Sequence, residues 1–176
     1  APLSLSPVDV AGLTNGVAAI AANGFYTCAL TWAGGVKCWG RNDNGQLGDG
    51  TTADRTAPVD VVGLSGGVAA IAAGTSHCCA VTDAGGAKCW GYNNYGGLGN
   101  GSTSESHVPV NVTGLGSGVA AIAAGSGHTC ALTDAGGIKC WGNNTSGQLG
   151  DNSIADSHVP VDVDGLANGV AAIANG

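Results

Sequence analysis

The chain repeats itself every 51 residues, and that interval constrains its fold more than any other feature. Trp39, Trp90 and Trp141 stand 51 apart, as do Pro7, Pro58, Pro109 and Pro160, and Ile20, Ile71, Ile122 and Ile173. Three full units follow one another without an insertion: residues 17–67, 68–118 and 119–169. Residues 1–16 read as a partial repeat supplying a closing strand, and 170–176 as the start of a further repeat. A fixed period of this length signals one supersecondary unit copied in tandem, each copy burying its apolar faces against its neighbours.

Within a unit the pattern is strand and turn. In Thr27–Leu30 and Val36–Trp39, Cys28 and Leu30 share one face, as do Val36 and Cys38, by the period-two alternation of a strand. Thr31–Gly35 between them is a short loop with two glycines able to take positive φ. A hairpin centred on Ala33 sets Leu30 opposite Val36 and Cys28 opposite Cys38, and the same arithmetic pairs Cys79 with Cys89 and Cys130 with Cys140. Strands over Val17–Ala22 and Pro58–Val61 complete about four per unit, with the proline suited to an edge or first-residue position. The expected fold is all-β: tandem four-stranded propeller-type blades.

From Cys28 to Asp49 and again from Cys130 to Asp151, the residues read Cys-Ala-Leu-Thr-x-x-Gly-Gly-x-Lys-Cys-Trp-Gly-x-Asn-x-x-Gly-Gln-Leu-Gly-Asp, with departures at Gly97 and Asn100 in the middle copy. This pattern resembles the regulator-of-chromosome-condensation repeat, in its bacterial, exported, disulfide-containing form. The resemblance covers nearly the whole chain and implies blades of a β-propeller, usually of seven. Three units with matching, uncapped ends are too few for such a ring. The expectation is an open arc, part of a longer repeat protein, a ring closed by several copies, or a head-to-tail filament.

The cysteines support a location outside the cell. Six of the seven form the three opposed pairs, within disulfide reach, and such bridges belong in an oxidising compartment. Zinc is the weaker reading, because the spacing is C-x9-C and His77 and His128 have Tyr26 at their place in the first unit. Cys78, where the other units carry Thr27 and Thr129, is a free thiol or one that bridges chains. The N-terminus, with neither a starting methionine nor a signal segment, reads as processed, in keeping with export.

Charge and composition exclude several partners. With 5 Lys and Arg and a net charge of -7, there is no basic stripe for nucleic acid or an anionic membrane. No apolar run approaches the roughly 20 residues of a membrane-spanning helix. At 10% charged and 44% apolar residues, the chain is too apolar for a disordered segment. Gly45–Gly50 lacks the lysine and the helix of a phosphate loop, and Asn42–Gly45 with Asp49 lacks calcium-loop spacing. No cofactor fingerprint, metal set or catalytic constellation stands out, so the chain is expected not to be an enzyme.

The residues that differ between units are the freest to carry function, and they cluster in the loops 41–44, 92–95, 143–146 and 51–57. Phe25, Tyr26, Trp32, Tyr92 and Tyr95 are the candidate partner contacts, whereas the three in-phase tryptophans are expected to pack blade against blade. Asn100, Asn111, Asn143 and Asn144 each begin an Asn-x-Ser/Thr sequon, candidate glycan sites in an exported chain. The expected function is a non-catalytic extracellular structural or adhesion-type module acting through self-assembly with copies of itself or through further repeats. The alternatives are an exported binder or inhibitor of a protein partner, in line with the resemblance to inhibitor-binding bacterial propellers, and, further off, a nucleotide-exchange regulator of a small GTPase.

Overall fold

A computed structural model of the chain describes residues 6–175. It contains twelve strands in three four-stranded antiparallel sheets. The first sheet holds β1 (Val17–Asn23), β2 (Tyr26–Thr31), β3 (Val36–Gly40) and β4 (Arg55–Asp60) in chain order. The second holds β5 (Val68–Ala73), β6 (His77–Thr82), β7 (Ala87–Gly91) and β8 (Ser106–Asn111). The third holds β9 (Val119–Ala124), β10 (His128–Thr133), β11 (Ile138–Gly142) and β12 (Ser157–Asp162). The architecture is that of propeller blades, all-β as the alternation requires.

The hairpin register is the one the sequence dictates. Cys28 lies opposite Cys38 and Leu30 opposite Val36, with the same pairing at Cys79/Cys89 and Cys130/Cys140. The fourth strand differs from expectation: it begins at Arg55, so Pro58 stands inside it rather than at its head. The proline is tolerated because β4 is an edge strand, where a missing N–H costs no ladder bond. The ladder from β3 to β4 slips between Cys38 and Gly40, which lets Gly40 pair with Arg55. Gly40 holds φ 110°, and a Cβ there would come 2.5 Å from the Phe25 carbonyl, so only glycine fits this bulge. Within residues 1–16, read as a partial repeat supplying a closing strand, the described residues 6–16 are not in a strand. The partner of such a strand would be the third strand of a preceding unit, and no such strand is among the described residues.

The core lies between blades. One buried cluster joins Cys28, Leu30, Val36 and Cys38 of the first sheet to Cys78, Ala80 and Trp90 of the second. The next joins Cys79, Val81 and Cys89 to Ala131 and Trp141. The cysteine face of each blade therefore packs on the tryptophan face of the one that follows. A third cluster, around Cys130, Leu132, Ile138, Cys140 and Leu149, has Val163 and, from the final segment, Val170 and Ile173 packed against it.

Candidate functional site

Two features hold the repeat-specific chemistry: the joints between blades and the loops at one end of them. Each joint is built around an indole. Trp90 donates from Nε1 to the Gln46 carbonyl at 2.9 Å, and Trp141 to the Gly97 carbonyl at 2.8 Å; both side chains are fully buried. Gly48 and Gly99 make room, because a Cβ on either would sit within 2.8 Å of the neighbouring indole nitrogen. Trp39, with no blade before it among the described residues, is only partly buried.

The polar layer of the two joints differs. In the first, the Tyr26 hydroxyl reaches the carbonyl oxygens of Gly74 (2.9 Å) and His77 (2.5 Å). Tyr26 is 3% exposed, so it is an internal strut and not the partner contact expected of it. In the second joint His77 takes the equivalent place. The Thr129 hydroxyl donates to the Gly97 carbonyl at 2.9 Å, so it accepts from His77 Nε2, also at 2.9 Å. Burial, with His128 nearby, lowers the His77 pKa to about 4 and keeps the ring neutral.

The structure joins Cys28–Cys38, Cys79–Cys89 and Cys130–Cys140 as disulfides across each central hairpin. Cys78 is free and fully buried in the first joint, 3.8 Å from Cys28 Sγ, and its thiol donates to the Ala72 carbonyl at 3.1 Å. A bridge from Cys78 to another chain would require that joint to open, so the interchain reading gives way to a packed thiol. Burial pushes its pKa well above the ordinary thiol range.

The long loops are organised by one asparagine each, a role sequence reading missed. Asn42 donates to the carbonyls of Thr51 (3.0 Å) and Ala53 (3.1 Å) and accepts from Leu47 N–H at 2.9 Å. Asn93 and Asn144 repeat this network around Leu98 and Leu149. The recurrence of asparagine at this place in every unit was the available signal. Asn144 is therefore fully buried and spent on the loop, which removes it as a glycan acceptor. Asn111 is exposed, and Asn100 and Asn143 are partly buried. Among the described residues no three His, Cys, Asp or Glu side chains gather as a metal site.

The remaining aromatics separate to two ends of the blades. Phe25 and Trp32 are each 77% exposed. Phe25, in the β1–β2 turn, lies under the Arg41 guanidinium at 5.9 Å. Trp32, in the β2–β3 turn, stands at the opposite end. Tyr92 and Tyr95 meet edge to face, centroids 6.2 Å apart, and line a cleft of about 550 Å³ that takes residues from all three units.

Four-stranded antiparallel sheets that follow chain order, joined face to face by a buried tryptophan, define a β-propeller-type repeat module. The family model of the regulator of chromosome condensation (RCC1) repeat matches residues 33–81, 88–132 and 136–176, and a second model of the same repeat matches 17–46, 68–96 and 119–148. The chain belongs to the RCC1 repeat family. It is 36% identical over 151 residues to the ultraviolet-B receptor UVR8 of Arabidopsis thaliana, spanning 85% of this chain and 34% of that protein. The crystal structure of human WBSCR16 superposes with a TM-score of 0.77 at 30% identity, over 90% of this chain and 42% of that one. Prp20p of Saccharomyces cerevisiae, whose structure was described together with its binding to Gsp1p and histones, gives 0.76 at 22% identity over 85% of this chain and 38% of that one. The chain thus spans about a third to two fifths of the length of these relatives.

Proposed function

We propose that the chain is a non-catalytic, extracellular repeat module that works by joining blade to blade with copies of itself or with further repeats. The observation that carries this reading is the joint. It is built twice inside the chain from the same parts, and its two unmatched halves stand at opposite ends. At one end Trp39 is half-buried and Ile20 is exposed. At the other, a recess of about 360 Å³ is lined by Leu149, Gly150, Val163 and Leu166 beside the short segment at Val170–Asn175. The internal joints bury tryptophan against the residues equivalent to those of the recess, so the two halves are chemically matched. The three disulfides favour an oxidising compartment.

Native mass measurement over a range of concentrations tests assembly by copies, with electron microscopy to distinguish ring from filament. Discrete assemblies or filaments are expected, weakened by Trp39→Ala. A monomer at every concentration overturns self-assembly. Denatured, unreduced protein should present about one free thiol, and six or seven would remove the argument for export. A second reading, a binder of a protein partner, draws on the exposed Phe25–Arg41 pair and on relatives such as Prp20p that bind proteins. Loss of partner capture on Phe25→Ala, with assembly intact, would favour it.

A further inference from the structure

The cleft at Tyr92 and Tyr95 is where the internal repeat breaks. At the positions of these tyrosines the other units carry Arg41 and Asn143, and Asn44 and Ser146. Gln46 and Gln148 fold back on their own loops, Oε1 accepting from Asn44 N–H and Ser146 N–H at 2.9 Å, but the second unit has Gly97 there. Across the second joint from Gly97 stands Gly127, where the first two units carry Phe25 and Ser76. A Cβ on Gly127 would come 3.3 Å from the Tyr95 ring and 3.5 Å from Asn143 Cβ. The same joint has thus lost a glutamine side chain on one side and any side chain on the other, and has gained two tyrosines at the rim. The first joint keeps Gln46 and Ser76 at the corresponding places.

The lining chemistry narrows the ligand. No carboxylate, ammonium or guanidinium lines the cleft. Its one imidazole, His128, has its pKa lowered by burial and is neutral at pH 7. Without a fixed charge the cleft has no charge-assisted bond to give a phosphate, a sulfate or a cation. It does offer hydroxyls from Thr75, Ser76, Ser126 and Thr145, and amides from Asn44 and Asn143. Asn143 Oδ1 accepts from Thr145 and Gln148, while its Nδ2 has no partner among the described residues. Tyr95 is 41% exposed beside this array, an amphipathic ring with no partner on its hydroxyl among the described residues. An aromatic face next to a set of neutral donors and acceptors suits a molecule with a C–H face and a rim of hydroxyls. A peptide fits less well, because peptides are held by sheet edges or apolar grooves and this cleft is built from loop side chains.

We propose that this cleft binds a neutral oligosaccharide, with a sugar ring on Tyr95 and Tyr92 and its hydroxyls on Asn143, Asn44 and the serine and threonine side chains. The cleft draws its lining from all three units and is complete within one chain, so the proposal does not rest on assembly.

The test is saturation-transfer NMR and calorimetry of the intact chain with a panel of neutral gluco-, manno-, galacto- and N-acetylhexosamine oligosaccharides, an acidic oligosaccharide and an unrelated polar peptide. At least one neutral oligosaccharide should bind with a Kd of about 1 mM or tighter. Tyr95→Ala should weaken it by about tenfold or more, and Trp32→Ala, at the opposite end, should not. Gly127→Ser restores the residue of the second unit, sets a side chain in the cleft against the Tyr95 ring and Asn143, and should weaken binding by about tenfold or more with the disulfides intact. The proposal is overturned if no neutral oligosaccharide in the panel binds. It is equally overturned if binding survives both Tyr95→Ala and Gly127→Ser, or if only the peptide or the acidic sugar binds.

Discussion

The two joints inside the chain share an apolar frame but not a polar layer. Both bury a tryptophan, both require glycine beneath the indole, and both lay one blade's cysteine face on the next blade's tryptophan face. In the first, a tyrosine hydroxyl shares its one proton between two carbonyls and a free thiol fills the space beside Cys28. In the second, a histidine–threonine–carbonyl chain takes the place of the tyrosine. The lesson is that the indole and the face-to-face packing specify the joint, while the hydrogen-bonding layer is exchangeable provided every buried polar group finds a partner.

The largest effect that would break this comparison is loss of an indole. Trp90→Ala and Trp141→Ala should each cost about 3–5 kcal/mol in urea unfolding, by transfer and cavity terms together. Trp39→Ala, at a half-buried site, should cost about 1–2 kcal/mol in the same assay. Equal costs at all three positions would mean that the joints do not depend on burial of the ring.

Acid should separate the joints next. His77 has a folded pKa lowered from 6.5 to about 4, so the unfolded chain binds the extra proton and the folded chain resists it. Its contribution is present above pH 6.5 and is lost as pH falls toward 4, amounting to about 3 kcal/mol. His77→Gln should flatten stability over that window, read from urea midpoints at stepped pH. The first joint, held by Tyr26, contributes nothing there, because burial raises that hydroxyl's pKa further above neutrality.

Replacing both Cys28 and Cys38 by alanine should cost about 3 kcal/mol by the chain-entropy account of so short a loop. Scanning calorimetry under non-reducing conditions reads it. The smallest effect belongs to Cys78→Thr, which installs the residue of the other two units and should change stability by about 1 kcal/mol or less. The native Cys78 thiol should resist thiol reagents until the chain unfolds, and rapid labelling of the folded protein would contradict the packing of the first joint.

Much of the fold was legible because two periods coincide. Alternation within a strand and the fixed 10-residue separation of each cysteine pair leave one hairpin register, and the structure has it. Tyr26 was misread although the same alternation puts it in phase with Cys28 and Leu30, on the packed face; its aromatic character drew attention to contacts instead. The fourth strand was placed too late, because proline suggested a beginning where an edge position already satisfied the ladder. Asn42 was weighed as part of a calcium-type loop, Asn93 as one residue of a variable loop, and Asn144 as a sequon. An amide that serves three backbone groups at once is set by long-range loop closure, which no local pattern announces. The cleft was visible in sequence only as departures at Tyr92, Tyr95 and Gly97. That they converge in one place with Gly127 follows from blade stacking.

The alternation of faces has a directional consequence. One side of every blade presents cysteines and aliphatic residues, and the other presents an indole. These surfaces complement each other but neither complements itself. A series built through this joint therefore has an arrow running along it, like a row of plugs and sockets, and its two extremities are chemically unlike. Two copies cannot meet through it about a twofold axis, and growth from the indole end and from the recess end would be separate reactions with separate rates.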